Sequence, residues 1–205
     1  MPRPRFRRLD PDKRESVLSA AASEFVQHGY HKASLNRVQK ALGLSKGAFY
    51  YWFDDKEDLF GAVLRREADA LAVEVGGLMA GPPDDTPLWD QVARGITDLM
   101  AYIARSPDFL ALLKAALSLQ PAEDSPVRAM LEESVALTEA LVVEGQRRGD
   151  VRTDLPAALL AHVAHGMLEG LDRYALQQAS FGDTPPEVAA ELYVSMLQRV
   201  LLPER

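Results

Sequence analysis

One stretch, residues 34–53 (SLNRVQKALGLSKGAFYYWF), most strongly constrains what this chain can fold into. Its apolar residues recur from Leu35 at i, i+3 and i+7, the spacing of one face of a helix. Gly43 stands where a helix can end in the left-handed conformation that glycine adopts without strain. Ser45 is suited to cap a second helix that begins at Lys46. The stretch therefore predicts two short helices joined by a tight glycine turn.

A helix–turn–helix places its second helix in the DNA major groove, with residues near the start of that helix at base edges. The same helix–Gly–helix pattern also fits a helical hairpin in any α-helical protein. Within the pattern, the Ser34 hydroxyl is expected to cap the first helix. Phe49 and Phe53 are expected to face the core rather than the groove.

The residues around this stretch resemble the DNA-binding domain of the tetracycline-repressor (TetR) family. The motifs are S-L-x-x-V, A-L-G-L-S-K-G-A-F-Y-Y-W-F and D-K-E-D-L-F, and the likeness covers residues 11–71. Gln39 and Leu42 stand where alanines are usual, so we expect the first helix of the motif to pack slightly differently. The resemblance implies a DNA-binding domain over residues 1–55, with the helix–turn–helix at 34–53. A ligand-binding and dimerisation domain is expected over residues 56–205.

The resemblance also implies which residues contact DNA. Those that open the second helix are expected at base edges, and its aromatic residues at the DNA backbone, sugars or thymine methyl groups. Ser34 and Lys56 are expected to hold phosphates. The full expected set is Ser34, Ser45, Lys46, Gly47, Ala48, Tyr50, Tyr51, Trp52 and Lys56.

The distribution of charge favours a DNA-binding end. Residues 1–53 carry ten Lys or Arg and four Asp or Glu, a net charge of +6, whereas the remaining residues carry −13 and the whole chain −7. A basic end is attracted to DNA phosphates, and an acidic body is repelled by them. Residues 3–8 contain four arginines. They are interpreted either as an arm that reaches phosphates or the minor groove, or as a solubilising tail.

The rest of the chain also has helical patterns. Four Ser/Thr–Pro pairs, at residues 86, 106, 125 and 184, combine a capping hydroxyl with a proline suited to a first helical turn. No segment alternates as a strand would. An all-α chain of about nine helices is therefore expected, with body helices near 87–105, 107–119, 126–148, 154–179 and 185–202. The helix from Lys56 is expected to break at Gly81 rather than at Gly76.

The resemblance implies a small-molecule pocket among the middle helices and a homodimer formed through the last two long ones, around residues 155–178 and 186–200. Candidate pocket residues are Trp89, Met100, Tyr102, Phe109, Met130, His162, His165 and Glu169. The histidines, Glu169 and Asp172 also share one helical face, which leaves a metal sensor as an alternative. A closed tetrahedral ligand set is not evident, so neither a metal nor another cofactor is expected.

Other functional classes are less consistent with the sequence. No nucleophilic Gly-x-Ser-x-Gly motif or phosphate loop is present, so an enzyme is not expected. The absence of cysteine, of a long apolar run and of a signal-peptide pattern favours a cytoplasmic protein with no membrane partner. The expected function is a ligand-responsive transcriptional regulator, most simply a repressor, that binds a near-palindromic DNA operator and is released by a small, largely apolar effector. An architectural or activator protein without an inducer is the other alternative.

Overall fold

A computed structural model describes residues 3–74, 86–177 and 184–203, and all regular elements in these residues are helices. The ten helices are α1 (Pro4–Arg7), α2 (Pro11–Lys32), α3 (Leu35–Ala41), α4 (Lys46–Tyr50), α5 (Lys56–Glu74), α6 (Leu88–Arg105), α7 (Pro107–Leu117), α8 (Pro126–Arg148), α9 (Ala157–Gln177) and α10 (Pro186–Leu201). The all-α prediction is confirmed. α1 is an addition to the nine expected helices. The predicted break at Gly81 lies outside the described residues, and none of the described helices could span a membrane.

A Ser/Thr–Pro pair predicts the start of α8 correctly and the start of α10 one residue too early. At α8 the buried Ser125 hydroxyl oxygen accepts hydrogen bonds from the amides of Val127 and Arg128, each at 3.1 Å, so this cap is confirmed. At α10 the helix begins one residue later than expected, and Pro185 occupies the capping position with no side-chain cap. Pro186 follows it, and a residue before proline is disfavoured in the helical conformation.

The chain divides into two compact units, which we call unit 1 (Met1–Ala70 and Pro107–Leu131) and unit 2 (Leu71–Ser106 and Glu132–Arg205). In unit 1, α2 packs against α3 and α7. Four phenylalanines with almost no exposed surface fill its core: Phe25, Phe49, Phe53 and Phe60. The boundary expected at residue 55 does not coincide with a limit of either unit, because α5 contributes to unit 1 as far as Ala70.

In unit 2, α10 packs against both α6 and α9. Its core includes Leu88, Leu160 and Leu197, each almost fully buried. The Trp89 indole N–H donates to the Asp150 carbonyl at 3.2 Å, so this side chain is tied to the loop after α8. Trp89 therefore belongs to the packing of unit 2.

Candidate nucleic-acid interface

A buried carboxylate joins α2 to α3 and sets the position of the helix–turn–helix. Glu24 of α2 is only 9% exposed, and its carboxylate accepts from the Ser34 amide at 2.8 Å and from Arg37 Nε at 2.9 Å. The hydrogen bond from Arg37 is the main reason why the pKa of Glu24 is lowered; burial opposes it. Arg37 also donates to the Lys32 carbonyl at 2.8 Å. One charged network therefore holds the start of α3 against the end of α2.

The first helix of the motif differs from expectation at its start. Ser34 is the residue before α3, but its hydroxyl makes no capping hydrogen bond, so that prediction is wrong. The Glu24 carboxylate satisfies the Ser34 amide instead. Gln39, one of the two departures from the family pattern, is 5% exposed, and its Nε2 has no hydrogen-bond partner among the described residues. Leu42, the other departure, packs against the core of unit 1.

The turn between the two helices follows the prediction. Gly43 has φ of 63°, a value that side-chain-bearing residues seldom adopt. The Leu44 amide donates to the Gln39 carbonyl at 2.9 Å and closes the turn. The Ser45 hydroxyl oxygen then accepts from the Ala48 amide at 3.3 Å, so the predicted cap of α4 is confirmed.

α4 separates the buried aromatic residues of its segment from the exposed ones. Phe49 and Phe53 are fully buried, as expected. Tyr50 and Tyr51 are 49% and 47% exposed, so both rings are accessible to a ligand of helices α1 to α5, which we call the head. A Cβ added to the exposed Gly47 would meet no atom within 4 Å. The packing of the head therefore does not require glycine at this position.

Trp52 is the exception among the expected DNA contacts. It is 6% exposed, and its ring packs against Phe6 of α1 at a centroid distance of 6.2 Å. Lys13 Nζ lies 5.8 Å from the centre of the indole. Because Phe6 covers the ring, Trp52 belongs to the core of unit 1, and little of its surface is open to DNA.

Lys56, at the start of α5, lies beside the end of α2. Its ammonium donates to the carbonyls of His31 and Ala33 at 3.2 and 3.4 Å and lies 4.6 Å from the centre of the Tyr30 ring. Burial, helped by Glu57 and Asp55, raises the pKa of Tyr30 to about 12. Two carbonyls use two of the three ammonium donors. Lys56 thus ties α5 to α2 and keeps one N–H donor that these two carbonyls do not use.

An apolar cavity of about 500 Å³ lies in unit 2 between α6, α9 and the first half of α10. The side chains around it are Met100, Ala104, Leu171, Tyr174, Ala175, Thr184, Pro186, Val188, Ala189, Leu192 and Tyr193. The Tyr193 hydroxyl donates to the Asp172 carboxylate at 2.6 Å. Burial is the main reason why the pKa of each of these two groups is raised. The cavity therefore combines an apolar lining with a tyrosine held in a fixed orientation.

The eight expected pocket residues do not gather at this cavity. Only Met100 lines it, and Met130 lines a different cleft, in unit 1. Tyr102 is buried, and the Arg105 guanidinium carbon lies 5.2 Å from the centre of the Tyr102 ring. The five others line neither this cavity nor the cleft in unit 1: Trp89, Phe109, His162, His165 and Glu169. The eight expected residues are therefore not gathered around this cavity.

On the polar face of α9, His162 and Glu169 are directed to solvent and to their own helix, whereas Asp172 accepts from Tyr193 of α10. His162 is exposed, its Nδ1 lies 2.8 Å from the Ala158 carbonyl oxygen, and Glu169 accepts from Arg173 at 2.7 Å. Over the described ranges, no three His, Cys, Asp or Glu side chains come together as a metal site would require. The metal-sensor alternative has no ligand set in this part of the chain.

Large apolar side chains are exposed on the last two helices. Leu159 and Val163 of α9 are 48% and 44% exposed, and Val188 and Leu192 of α10 are 54% and 53% exposed. Exposed apolar residues mark an interaction surface when they gather in a patch, and these four residues are candidates for one. We call these four residues the α9–α10 face.

Comparison with known proteins identifies the family. Residues 17–63 match the family described as bacterial regulatory proteins, tetR family. The HTH-type transcriptional repressor AcnR of Corynebacterium diphtheriae is 31% identical over 178 residues, which cover 84% of each protein. The chain belongs to the TetR family. Its helix–turn–helix is thus that of a TetR-family transcriptional regulator.

Solved TetR-family structures share the fold. SmeT, the repressor of a Stenotrophomonas maltophilia multidrug efflux pump, was solved in complex with triclosan. That complex has a TM-score of 0.72 and 18% identity, covering 93% of this chain and 92% of the SmeT chain. FadR from Bacillus subtilis in complex with stearoyl-CoA has a TM-score of 0.71 and 14% identity, covering 89% and 96%. At these identities the likeness concerns the fold alone.

Sequence reasoning missed two features of this TetR-family head. Glu24 and Arg37 stand thirteen residues apart in different helices, and nothing local marks them as a pair. Phe6 was overlooked inside an arginine-rich segment, where a single aromatic residue was the only signal of a buried contact.

Proposed function

We propose that this chain is a transcriptional repressor that binds a near-palindromic DNA operator as a homodimer and is released by a small, largely apolar effector. The observation that carries the proposal is the geometry of α3 and α4: a glycine turn and two exposed tyrosines beside a capped α4, built on a basic head. The acidic remainder of the chain suits a body that stays away from phosphates.

The start of α4 is proposed to read base edges, with Ser45, Lys46, Gly47 and Ala48 nearest the bases. Gly47 supports this assignment because it costs helix stability relative to alanine, about 1 kcal/mol, and the packing of the head does not require it. A close approach of the DNA to α4 explains why glycine, which has no Cβ, stands at position 47. Tyr50 and Tyr51 contact the backbone or sugars at the other end of α4, and Ser34 and Lys56 hold phosphates.

Dimerisation is proposed through the α9–α10 face. Two half-sites about one helical turn apart require two heads related by a twofold axis. The exposed leucines and valines on α9 and α10 provide apolar area for a four-helix interface with a second copy. Gly166 and Gly170, on the exposed surface of α9 with open space around them, allow a close approach of a partner helix.

The effector is proposed to occupy the cavity of unit 2. Its lining is mainly aliphatic and aromatic, and ligand pockets commonly combine such a lining with a few polar groups. The polar anchors are the tyrosines of the lining rather than His162, His165 or Glu169, which do not line the cavity. Structures of the same fold bound to triclosan and stearoyl-CoA carry ligands with large apolar parts. An effector releases DNA only by binding the DNA-incompetent arrangement more tightly.

The test begins with DNA. The full-length protein is used to enrich duplexes from a randomised library, and the affinity for the enriched duplex is measured by fluorescence anisotropy. We expect Gly47→Ala to raise helix stability but weaken binding, and Lys46→Ala to weaken binding. Lys114→Ala, the same charge change at an exposed position of α7, is the control and is expected to bind as the parent does. Enrichment of no duplex, or binding by both variants as by the parent, would overturn the assignment.

The effector is tested next. Compounds that raise the midpoint of thermal unfolding are selected, and each is titrated into the protein–duplex complex. Thermodynamic linkage requires that an effector and DNA weaken each other by the same factor. A compound bound equally well by free and DNA-bound protein would show that its site is no switch, as expected for an activator or architectural protein without an inducer.

A further inference from the structure

The arginine-rich segment before α2 is folded against the end of α4. The Arg3 amide donates to the Trp52 carbonyl at 3.0 Å, and Arg3 Nη1 donates to the Tyr50 carbonyl at 3.1 Å. The same guanidinium forms an ion pair with Asp54, with Nε 3.0 Å from the carboxylate oxygen. Three polar interactions thus join residue 3 to the segment that ends the proposed reading helix.

An apolar contact adds to these polar ones. Phe6 is 3% exposed, and its ring centre lies 4.6 Å from that of Phe53 and 6.2 Å from that of Trp52. Aromatic pairs at such distances pack favourably when the rings are tilted, as both pairs are here. α1 is therefore a folded part of the head, with its position fixed by Arg3 on one side and Phe6 on the other.

This anchoring places Arg5 over an exposed tyrosine. The Arg5 guanidinium carbon lies 4.1 Å from the centre of the Tyr51 ring, and both side chains are exposed. A guanidinium over a ring uses its planar face, which leaves its in-plane N–H donors directed away from the ring. Within residues 3–74, 86–177 and 184–203, no group accepts a hydrogen bond from the Arg5 side chain.

We infer that Arg5, held on Tyr51, binds a phosphate of the DNA strand that passes the C-terminal end of α4. The inference rests on the proposed function, because α4 must lie in the major groove for Tyr51 to stand beside a strand. Arg3 and Phe6 are positioning residues, since they hold α1 but are engaged within the protein. A guanidinium already restricted by the ring loses less conformational entropy when a phosphate binds.

A phosphate is the favoured ligand rather than a base edge. Bases are read from the N-terminal end of a recognition helix, whereas Tyr51 follows the last residue of α4. Phosphates on both sides of the groove accept bidentate hydrogen bonds from arginine and fix the register of a protein without reading sequence. Arg5 therefore extends the contact surface of the helix–turn–helix along the backbone.

The test compares Arg5→Ala with the parent on the duplex enriched by the full-length protein, from about 50 to about 200 mM salt. Loss of one charge-assisted hydrogen bond should weaken binding by about tenfold per protomer. The slope of log affinity against log salt should fall by about 0.9 per protomer, because one phosphate contact is lost. Arg94→Ala, the same change at an exposed position of α6, should leave both quantities unchanged.

A double-mutant cycle checks the role of the ring. Tyr51→Leu keeps the charge of Arg5 but removes the surface on which it rests, so it should weaken binding. Combined with Arg5→Ala, it should cost less than the two single effects together. Equal unfolding midpoints for parent and Arg5→Ala would confirm that the head stays folded.

Three outcomes would overturn the inference. If Arg5→Ala kept the parent's affinity and salt slope while Lys46→Ala lost affinity, Arg5 would be no contact although the proposed function stood. If Arg5→Ala weakened binding at an unchanged salt slope, or enriched a different sequence beside the site, the contact would not be to a phosphate. If the parent enriched no duplex at low salt, the proposed function itself would fail.

Discussion

The strongest test of the head concerns Lys56, because the structure gives it two roles that separate experimentally. Lys56→Met keeps most of the aliphatic stem and removes the ammonium. The ammonium makes two rather long hydrogen bonds to carbonyls and lies over Tyr30. Taking each interaction at the lower end of its range, about 0.5–1 kcal/mol, the substitution should lower the free energy of unfolding by about 2 kcal/mol. For a chain of this size that corresponds to a midpoint lower by about 4–8 °C.

The phosphate role is measured separately, by anisotropy on the enriched duplex across a salt series. Loss of one phosphate contact should reduce the salt slope by about 0.9 per protomer and weaken binding to all sequences alike. Lys56→Arg, which keeps the charge, is the matched control and should retain the slope. A parent-like unfolding midpoint for Lys56→Met would refute the link between α5 and α2. A parent-like salt slope in a folded Lys56→Met protein would refute the phosphate contact.

Three other predictions concern the head, the dimer and the cavity. Glu24→Gln should lower the free energy of unfolding by about 2 kcal/mol near neutral pH. Because its pKa is lowered in the folded protein, this contribution is complete above the ordinary value of 4.5 and should vanish as pH falls through the lowered pKa, as denaturant unfolding will show. Leu159→Glu with Leu192→Glu should yield monomers in sedimentation and abolish operator binding. Ala189→Phe, which fills part of the cavity, should block effector-induced thermal shifts while DNA binding without effector stays as in the parent.

Each of these predictions has a result that contradicts it. A Glu24→Gln penalty that does not decline as the pH falls below the ordinary pKa of 4.5 would show that the charged form of Glu24 is not what stabilises the head. A doubly substituted protein that sediments as a dimer would place the interface away from the α9–α10 face. An Ala189→Phe protein with unchanged thermal shifts would place the effector elsewhere. The pocket-filling position follows from the structure, since Ala189 lines the cavity of unit 2.

The interface shows where local rules were sufficient. The Gly43 turn, the Ser45 cap and the inward direction of Phe49 and Phe53 were all predicted, because each depends on neighbours within a few residues. The Ser34 cap is absent, and the burial of Trp52 was not predicted. In both cases a more distant residue competed: Glu24 took the Ser34 amide, and Phe6 covered the indole.

At the candidate effector site, by contrast, local rules were not sufficient to predict which residues line the cavity. Helical stripes placed Met100 and Trp89 on body helices, but the same periodicity fits a core position and a cavity wall equally well. Trp89 became core and Met100 lines the cavity. The side chains that complete the lining come from three helices, and their meeting depends on how those helices pack.

The sequence by itself determined that the chain is all-α, where most of its helices begin and that residues 34–53 form a helix–turn–helix, because capping, turn formation and helical periodicity are short-range. Only the tertiary structure decided the contacts that position this motif. Arg3 meets Asp54 across fifty-one positions of the chain and Lys56 meets the His31 carbonyl across twenty-five. Such pairs leave no periodic trace in the sequence, since they form only when the packing of the core brings distant backbone segments within hydrogen-bonding distance.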